Sequence, residues 1–150
     1  MNFLNSLLLL IAFQDPQQAR IYDAERHIIN APGIEVLEFA QIHGYTTRVY
    51  SDPWFRQRYP YARQPKVAHG KLGQNAYSTG NIIAFPERAC NFHVLHEIAH
   101  QLTPNQGHGP KFARVLVDLV EHFMEEEAAK MLRRLYLDRN INWLQTPNGK

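Results

Sequence analysis

The segment from residue 96 to residue 100, with the sequence H-E-I-A-H, constrains this chain more than any other. Four residues advance an α-helix by about 400°, so His96 and His100 would lie one above the other on the same helix face. Two neutral imidazoles placed in this way can bind one zinc ion. Glu97 would point about 100° away from this face, where it can reach a water molecule on the metal without binding the metal itself. The pattern therefore predicts a helix that carries a metal site with an acid–base group beside it.

The remaining positions of this helix are mostly apolar, which indicates that the helix is buried. They are Val94, Leu95, Ile98, Ala99 and Leu102. Because unpaired polar groups are costly to bury, two histidines and one glutamate on such a helix need a compensating partner. A bound metal ion would provide it. The alternative is a solvated helix that carries two surface histidines and binds no metal.

A catalytic zinc site needs a third protein ligand and leaves the fourth position to water. Residues 104–107 include proline, asparagine and glycine, so the helix should end near Thr103 and the chain should turn. His108 then follows eight residues after His100, and it is the predicted third ligand. The alternative is Glu121 on the next helix, at the spacing of thermolysin-like enzymes. A metzincin pattern does not fit, because it requires glycine at the position of Thr103.

Together with the sequence H-G-P-K-F at residues 108–112, the motif resembles the H-E-x-x-H…H-G-P-x-F signature of SprT-like zinc metallopeptidases. The similarity is closer still to a family of short predicted metallohydrolases from actinobacteria and their phages. In that family the run D-P-Q-Q-A-R-I-Y-D-A-E, here residues 15–25, is also similar. The resemblance extends over roughly residues 14–125 and is strongest at both ends.

This resemblance implies an α+β, zincin-like fold in which a small mixed sheet packs on the motif helix and further helices flank it. It also implies that His96, His100 and His108 bind Zn²⁺ and that Glu97 is the catalytic residue. Many SprT-like proteins carry a C-terminal zinc ribbon that is rich in cysteine. This sequence contains one cysteine, Cys90, which is too few for such a ribbon and which we expect to be a small buried residue.

Length and composition predict a single domain over residues 1–150 with a substantial hydrophobic core. Residues 1–14 are expected to be an apolar extension, and the chain after about residue 140 a tail. The apolar run from Leu7 to Phe13 is too short to span a bilayer, and it lacks the basic residues and the cleavage site of a signal peptide. A cytoplasmic protein without a membrane span is therefore expected, with export through this run as the alternative.

Local patterns predict the other elements. Asp15 and Pro16 should start a helix that runs to about Asn30, with Asp15 as its N-cap. Residues 34–42 fit a strand or a helix equally well, and Thr46–Tyr50 is predicted to be a strand that follows a break at Gly44. Asp52 and Pro53 should cap a short helix that ends before Pro60. After His108, apolar residues at helical spacing predict one long helix or two, from Pro110 to about Leu135.

Two strands are predicted before the motif helix, at Lys66–His69 and Asn81–Phe85, with a turn at Ser78–Gly80. By resemblance to zincins, Asn81–Phe85 would be the edge strand that pairs with an extended peptide. The loop from Pro86 would then lead into the motif helix.

The segment from Gly44 to Gly80 contains six basic residues and a single acidic residue, Asp52. Tyrosine and tryptophan are interleaved with the basic residues, a composition typical of a groove for single-stranded nucleic acid or another anionic partner. The alternative is a solvated surface whose aromatic residues anchor in the core. The basic residues are Arg48, Arg56, Arg58, Arg63, Lys66 and Lys71.

We therefore expect a zinc-dependent metallohydrolase that hydrolyses amide bonds of a peptide or protein substrate. Glu97 would take a proton from the attacking water and pass it to the leaving amine. One alternative is a non-catalytic metal-binding module that contacts nucleic acid or protein through residues 44–80. The other is a metal-free interaction protein with an accidental motif.

Two supporting roles are expected in the catalytic site. The first is an electrophile for the developing oxyanion, with Tyr77, His69 and His93 as candidates. The second is a carboxylate that orients a ligand histidine, with Asp118 and Glu121 as candidates. The remaining histidines are expected to be surface or packing residues; they are His27, His43 and His122.

Overall fold

A computed structural model describes residues 15–71 and 75–143, and the expectations for residues 1–14 and for the end of the tail lie outside this part of the chain. The helices are α1 (Gln18–Ile28), α2 (Phe39–Ser51), α3 (Pro53–Arg58), α4 (Asn91–Leu102), α5 (Pro110–Phe123) and α6 (Glu126–Asp138). The strands are β1 (Val36–Glu38), β2 (Lys66–His69), β3 (Tyr77–Thr79), β4 (Ile82–Phe85) and β5 (Arg88–Cys90). The protein is α+β, as predicted. In the described part of the chain no helix meets the length and hydropathy needed to cross a membrane.

The motif helix α4 lies in the middle of the protein and packs against α2, α5, β3 and β5. Its apolar residues are fully buried, among them Phe92, Leu95 and Ile98. The exposed fractions of His96 and Glu97 are only 4% and 5%, although both are polar. The prediction of a buried motif helix is therefore confirmed, and the alternative of a solvated helix is wrong.

The strands form two small sheets. In the first sheet β1 pairs antiparallel with β5, with Leu37 opposite Ala89. The second sheet has the order β2-β4-β3, in which β4 pairs parallel with β2 and antiparallel with β3. The prediction that Asn81–Phe85 is an edge strand is therefore wrong, since β4 is the central strand. The edge strand beside α4 is β3, which includes two of the three residues predicted to form a turn.

The predicted strand at Thr46–Tyr50 is also wrong, because these residues belong to helix α2. The buried residues of α2 follow helical spacing and are Ile42, Tyr45, Thr46, Val49 and Tyr50. Burial of this face outweighs the strand preference of valine, threonine and tyrosine. Gly44 does not break the helix, because it lies on an open side, where a β-carbon would meet no neighbouring heavy atom within 4 Å.

The C-terminal half is a layer of helices behind α4. The apolar stripe of α5 packs on α4, and α6 packs on α5 and α1. The predicted stripe therefore forms two helices, separated at Met124 and Glu125. The predicted caps of α3 are confirmed, since the Asp52 carboxylate accepts hydrogen bonds from the backbone amides of Trp54 and Phe55.

Helix α1 is also held by the segment that follows α6. The buried side chain of Gln17 donates to the carbonyl of Asn142 at 3.2 Å and accepts from its amide at 2.6 Å. Arg20 donates to the carbonyl of Asn140 at 2.7 Å, and Arg139 donates to the Asp23 carboxylate at 2.7 Å. These contacts fix the position of α1 beside α4, where the candidate site lies.

Candidate metal centre

Three histidine side chains converge at the C-terminal half of α4. His96 and His100 come from α4, and His108 comes from the loop between α4 and α5. The Nε2 atom of His100 lies 3.1 Å from Nε2 of His96 and 3.2 Å from Nε2 of His108. The three side chains are therefore close enough to bind one metal ion.

The loop that places His108 is tightly folded. It begins at Thr103, whose amide donates to the Ala99 carbonyl, and it ends where Pro110 starts α5. Gly107 has φ +54°, a conformation that residues with a β-carbon rarely adopt. A β-carbon at Gly107 would also lie 2.9 Å from Oδ2 of Asp15. Glycine at this position therefore allows Asp15 to approach the loop.

Two carboxylates contact the far sides of two imidazoles. Oε1 of Glu25 lies 2.6 Å from Nδ1 of His96, and Oδ2 of Asp15 lies 2.6 Å from Nδ1 of His108. Asp15 also accepts a hydrogen bond from the backbone amide of His108. The prediction that Asp15 is the N-cap of the first helix is therefore wrong. The N-cap position is Gln17, and the Asp15 carboxylate contacts His108 instead. His100 has a different neighbour, because its ring stacks on Phe112 with the centroids 4.4 Å apart.

The carboxylates proposed from the sequence for this orienting role lie elsewhere. Asp118 is paired with Arg58 at 2.5 Å and with Arg114 at 3.3 Å. Glu121, which was also the alternative third ligand, is paired with Arg133. Both sit on α5, next in the chain to the motif, whereas the carboxylates that contact the ligands come from the distant helix α1 and the turn before it.

The donor set fits a divalent metal ion. With both carboxylates ionised, Nδ1 of His96 and of His108 donates a proton, so the Nε2 atoms of these rings carry lone pairs. These lone pairs face Nε2 of His100, which can offer one proton at most. A cation between the rings would satisfy all three nitrogens. Ligands at about 2.0–2.1 Å from a tetrahedral zinc ion are about 3.3 Å apart, close to the separations found here.

The electrostatics of the site also favour metal binding. Burial lowers the pKa of His96 and of His100 to about 3, so both imidazoles are neutral at physiological pH, the form that binds metals. Burial raises the pKa of the Glu25 carboxyl to about 8. A cation held by the histidines would favour the ionised form of Glu25, because a nearby opposite charge lowers a carboxyl pKa.

Glu97 follows His96 on α4 and, together with His100, lines a cavity of about 480 Å³. Among the described residues, no hydrogen bond or ion pair joins its carboxyl to a histidine, in contrast to Asp15 and Glu25. Burial raises the pKa of Glu97 to about 8, and the neighbouring Glu25 adds to the shift. A carboxyl whose pKa lies near neutrality is suited to accept and return a proton.

The cavity distinguishes between the candidates for an oxyanion-stabilising residue. Tyr77 lines it, on the edge strand β3. His69 instead stacks on Phe39, and His93 lies against Phe92. Neither histidine is among the described residues that line the cavity.

Tyr22 lies at the site although its sequence position, within the run at residues 15–25, does not by itself predict such a role. Its ring stacks on that of His96 with the centroids 6.1 Å apart, and it packs edge-on against His108 at 4.9 Å. Burial raises the pKa of Tyr22 above its ordinary value, so the hydroxyl is protonated at neutral pH. The spacing offers one signal, since Tyr22 and Glu25 are three residues apart, which places them on one face of α1, and Asp15 lies in the turn just before it.

The basic residues of segment 44–80 contact their own chain in several places. Arg58 pairs with Asp118, Arg56 donates to the carbonyl of Ala62, and Arg48 lies over the ring of Tyr45. Binding of nucleic acid by this segment stays a prediction. Of the remaining histidines, His122 packs on Trp54 and pairs with Asp52 at 3.0 Å, and it is not part of the histidine cluster.

Comparisons with protein-family models, with curated proteins and with solved structures find no match to this chain. An α+β architecture leaves the activity open, because one fold can support many chemistries. The functional interpretation therefore depends on the residues of the site.

Substitution of His108 by alanine tests the ligand set. We expect about one zinc ion per chain in the wild type, loss of zinc in His108→Ala and retention in Glu121→Ala, because only His108 completes the cluster. Metal content by mass spectrometry of the purified proteins measures this. His122→Ala serves as the matched histidine control, and loss of zinc in Glu121→Ala would contradict the three-histidine set.

Substitution of Glu25 by glutamine tests the carboxylate behind His96. The neutral amide orients the imidazole less strongly and compensates less of the metal charge, so zinc affinity should fall about 10-fold to 100-fold. Competition titration against a chelator measures the affinity. Glu121→Gln makes the same chemical change away from the cluster and should bind zinc as the wild type does; equal affinities in the two variants would show that Glu25 has no such role.

Substitution of Gly107 by alanine tests the close approach of Asp15. Gly80 has nearly the same φ, +52°, but a β-carbon there would meet no heavy atom within 4 Å, so Gly80→Ala isolates the strain of a positive φ. We expect both variants to lose about 1–2 kcal/mol of stability in urea unfolding, and only Gly107→Ala to lose zinc affinity. Zinc affinity that is unchanged in Gly107→Ala would mean that Asp15 can move without affecting His108.

Proposed function

We propose that this protein is a zinc-dependent metallohydrolase with a zincin-like arrangement, and that it hydrolyses amide bonds of peptides or proteins. The convergence of His96, His100 and His108, with His100 and Glu97 both lining an accessible cavity, carries this proposal. Three neutral imidazoles form a ligand set typical of catalytic zinc, in which one coordination position stays open for water or substrate. The resemblance to SprT-like metallopeptidases agrees with the same residues in the same roles.

The chain would divide the chemistry between a metal and its own side chains. Zinc held by the three histidines would supply Lewis acidity toward a carbonyl oxygen and make a water molecule easier to deprotonate. The Glu97 carboxylate takes a proton from the attacking water as the oxygen adds to the carbonyl carbon. It then gives that proton to the departing nitrogen as the carbon–nitrogen bond breaks. The products are a carboxylic acid and an amine, and Glu97 returns to its starting state.

The surroundings of the cavity support a peptide as the substrate. The edge strand β3 forms one wall, and in the described part of the chain it pairs with a strand only on its β4 side. An extended peptide could add to the free edge through main-chain hydrogen bonds, which recognise any sequence. Gln101 steadies this wall, since its side chain donates to the Ser78 hydroxyl at 2.6 Å. The cavity between β3 and Glu97 would then hold the bond to be cleaved.

Substitution of Glu97 by glutamine tests the proposed reaction. The amide cannot accept the proton of water, so we expect hydrolysis of a fluorescently labelled casein digest to fall at least about 100-fold while the protein keeps its zinc. Release of new amino termini and metal content are measured on the same samples. Glu87→Gln, which changes an exposed glutamate, is the matched control. Turnover by Glu97→Gln at the wild-type rate would refute the role of Glu97.

A further inference from the structure

Tyr22 and Phe112 both pack on the candidate ligands, and of the two only Tyr22 carries a hydroxyl and lines the cavity. The Tyr22 ring contacts those of His96 and His108, as described above. It also lines the cavity that contains Glu97 and His100. About 45% of Tyr22 remains exposed, so one part of the side chain packs on the ligand rings and the other part is open to the cavity.

The Tyr22 hydroxyl is arranged to donate a hydrogen bond. Its oxygen accepts a hydrogen bond from the Gln18 side chain at 3.3 Å, one helical turn earlier in α1. Accepting this bond does not use the hydroxyl proton, which stays available for a second partner. The helix that carries Tyr22 is fixed at the site, because Glu25, one turn later, pairs with His96.

We propose that Tyr22 is a further catalytic residue, whose hydroxyl donates a hydrogen bond to the oxyanion that develops from the substrate carbonyl. This assignment rests on the proposed function. As the water oxygen bonds to the carbonyl carbon, the carbonyl π electrons move to its oxygen, which becomes negatively charged. The tyrosine keeps its own proton throughout, and the hydrogen bond weakens again when the carbonyl re-forms and the amine leaves. A donor aimed at the developing charge lowers the barrier more than it strengthens substrate binding.

Tyr77 is the competing residue, since it also lines the cavity and carries a hydroxyl. It lies on β3, the wall where an extended peptide would pair, while Tyr22 lies against the metal-ligand rings. Among the described residues Tyr77 makes no ring contact with these histidines. The position of Tyr22 therefore suits the reacting carbonyl, and that of Tyr77 suits the flanking peptide.

The test compares Tyr22→Phe with Tyr77→Phe in the zinc-loaded full chain. Both changes remove one hydroxyl and keep the ring, so the packing of Tyr22 on the histidines is preserved. The probe is methylphosphonate, a tetrahedral anion, titrated by calorimetry without any hydrolysis. We expect Tyr22→Phe to keep its zinc and to bind methylphosphonate about 10-fold to 100-fold more weakly, as for the loss of a hydrogen bond to a charged group. Tyr77→Phe should bind it as the wild type does.

Peptide hydrolysis provides the second measurement. In Tyr22→Phe we expect kcat to fall about 10²-fold to 10³-fold with KM nearly unchanged, because the lost contact forms only in the transition state. The assignment would be overturned if Tyr22→Phe bound methylphosphonate as tightly as the wild type does, or if Tyr22→Phe lost its zinc. It would also be overturned if Tyr77→Phe weakened methylphosphonate binding to the same extent, or if the wild-type protein did not bind methylphosphonate. The wild-type protein could also bind methylphosphonate more tightly than Tyr22→Phe does and yet hydrolyse no peptide. That result would contradict the proposed function and still support the placement of the Tyr22 hydroxyl beside the metal site.

Discussion

The pairing of two imidazoles with two carboxylates is the interaction on which the arrangement of this protein depends. Glu25 holds His96 and Asp15 holds His108, each at 2.6 Å and largely shielded from water. Removing one partner of such a pair leaves the other buried without compensation, which is far more costly than losing a surface contact. Helix α1 is therefore tied to α4 and to the loop after it by the chemistry of the site, as well as by apolar packing.

The same pairs organise the histidines for a cation. Each carboxylate fixes the orientation of one ring and directs its second nitrogen toward the centre of the cluster. His100, which has no carboxylate of this kind among the described residues, is positioned by Phe112 and by its place one turn after His96. The cluster thus combines two electrostatically held histidines with one that is held by packing. The negative charges would also balance a bound divalent ion, whose burial is otherwise unfavourable.

Sequence reasoning reached the histidines because their relation is local. His96 and His100 are fixed by the helical repeat, and His108 follows from the breakers after Thr103. Asp15, Tyr22 and Glu25 could not be assigned in this way, because nothing in the sequence gives the distance between the first helix and the motif. Thr46–Tyr50 was assigned by residue preference, whereas burial at helical spacing decided the outcome. The central position of β4 was missed for a related reason, since strand order depends on partners that a single segment does not reveal.

The contacts that complete the site join distant parts of the chain. Residue 15 meets residue 108, residue 25 meets residue 96, and residue 17 meets residue 142. During synthesis, α1 emerges from the ribosome long before its partners. At typical rates of about 5–20 residues per second, roughly 6–23 s separate the appearance of residue 25 from that of residue 142. A growing chain that already contains α4 has at most two of the three histidines until the loop follows. A site built in this way stays incomplete until the loop with His108 has been synthesised, and α1 gains its contact with Asn142 later still.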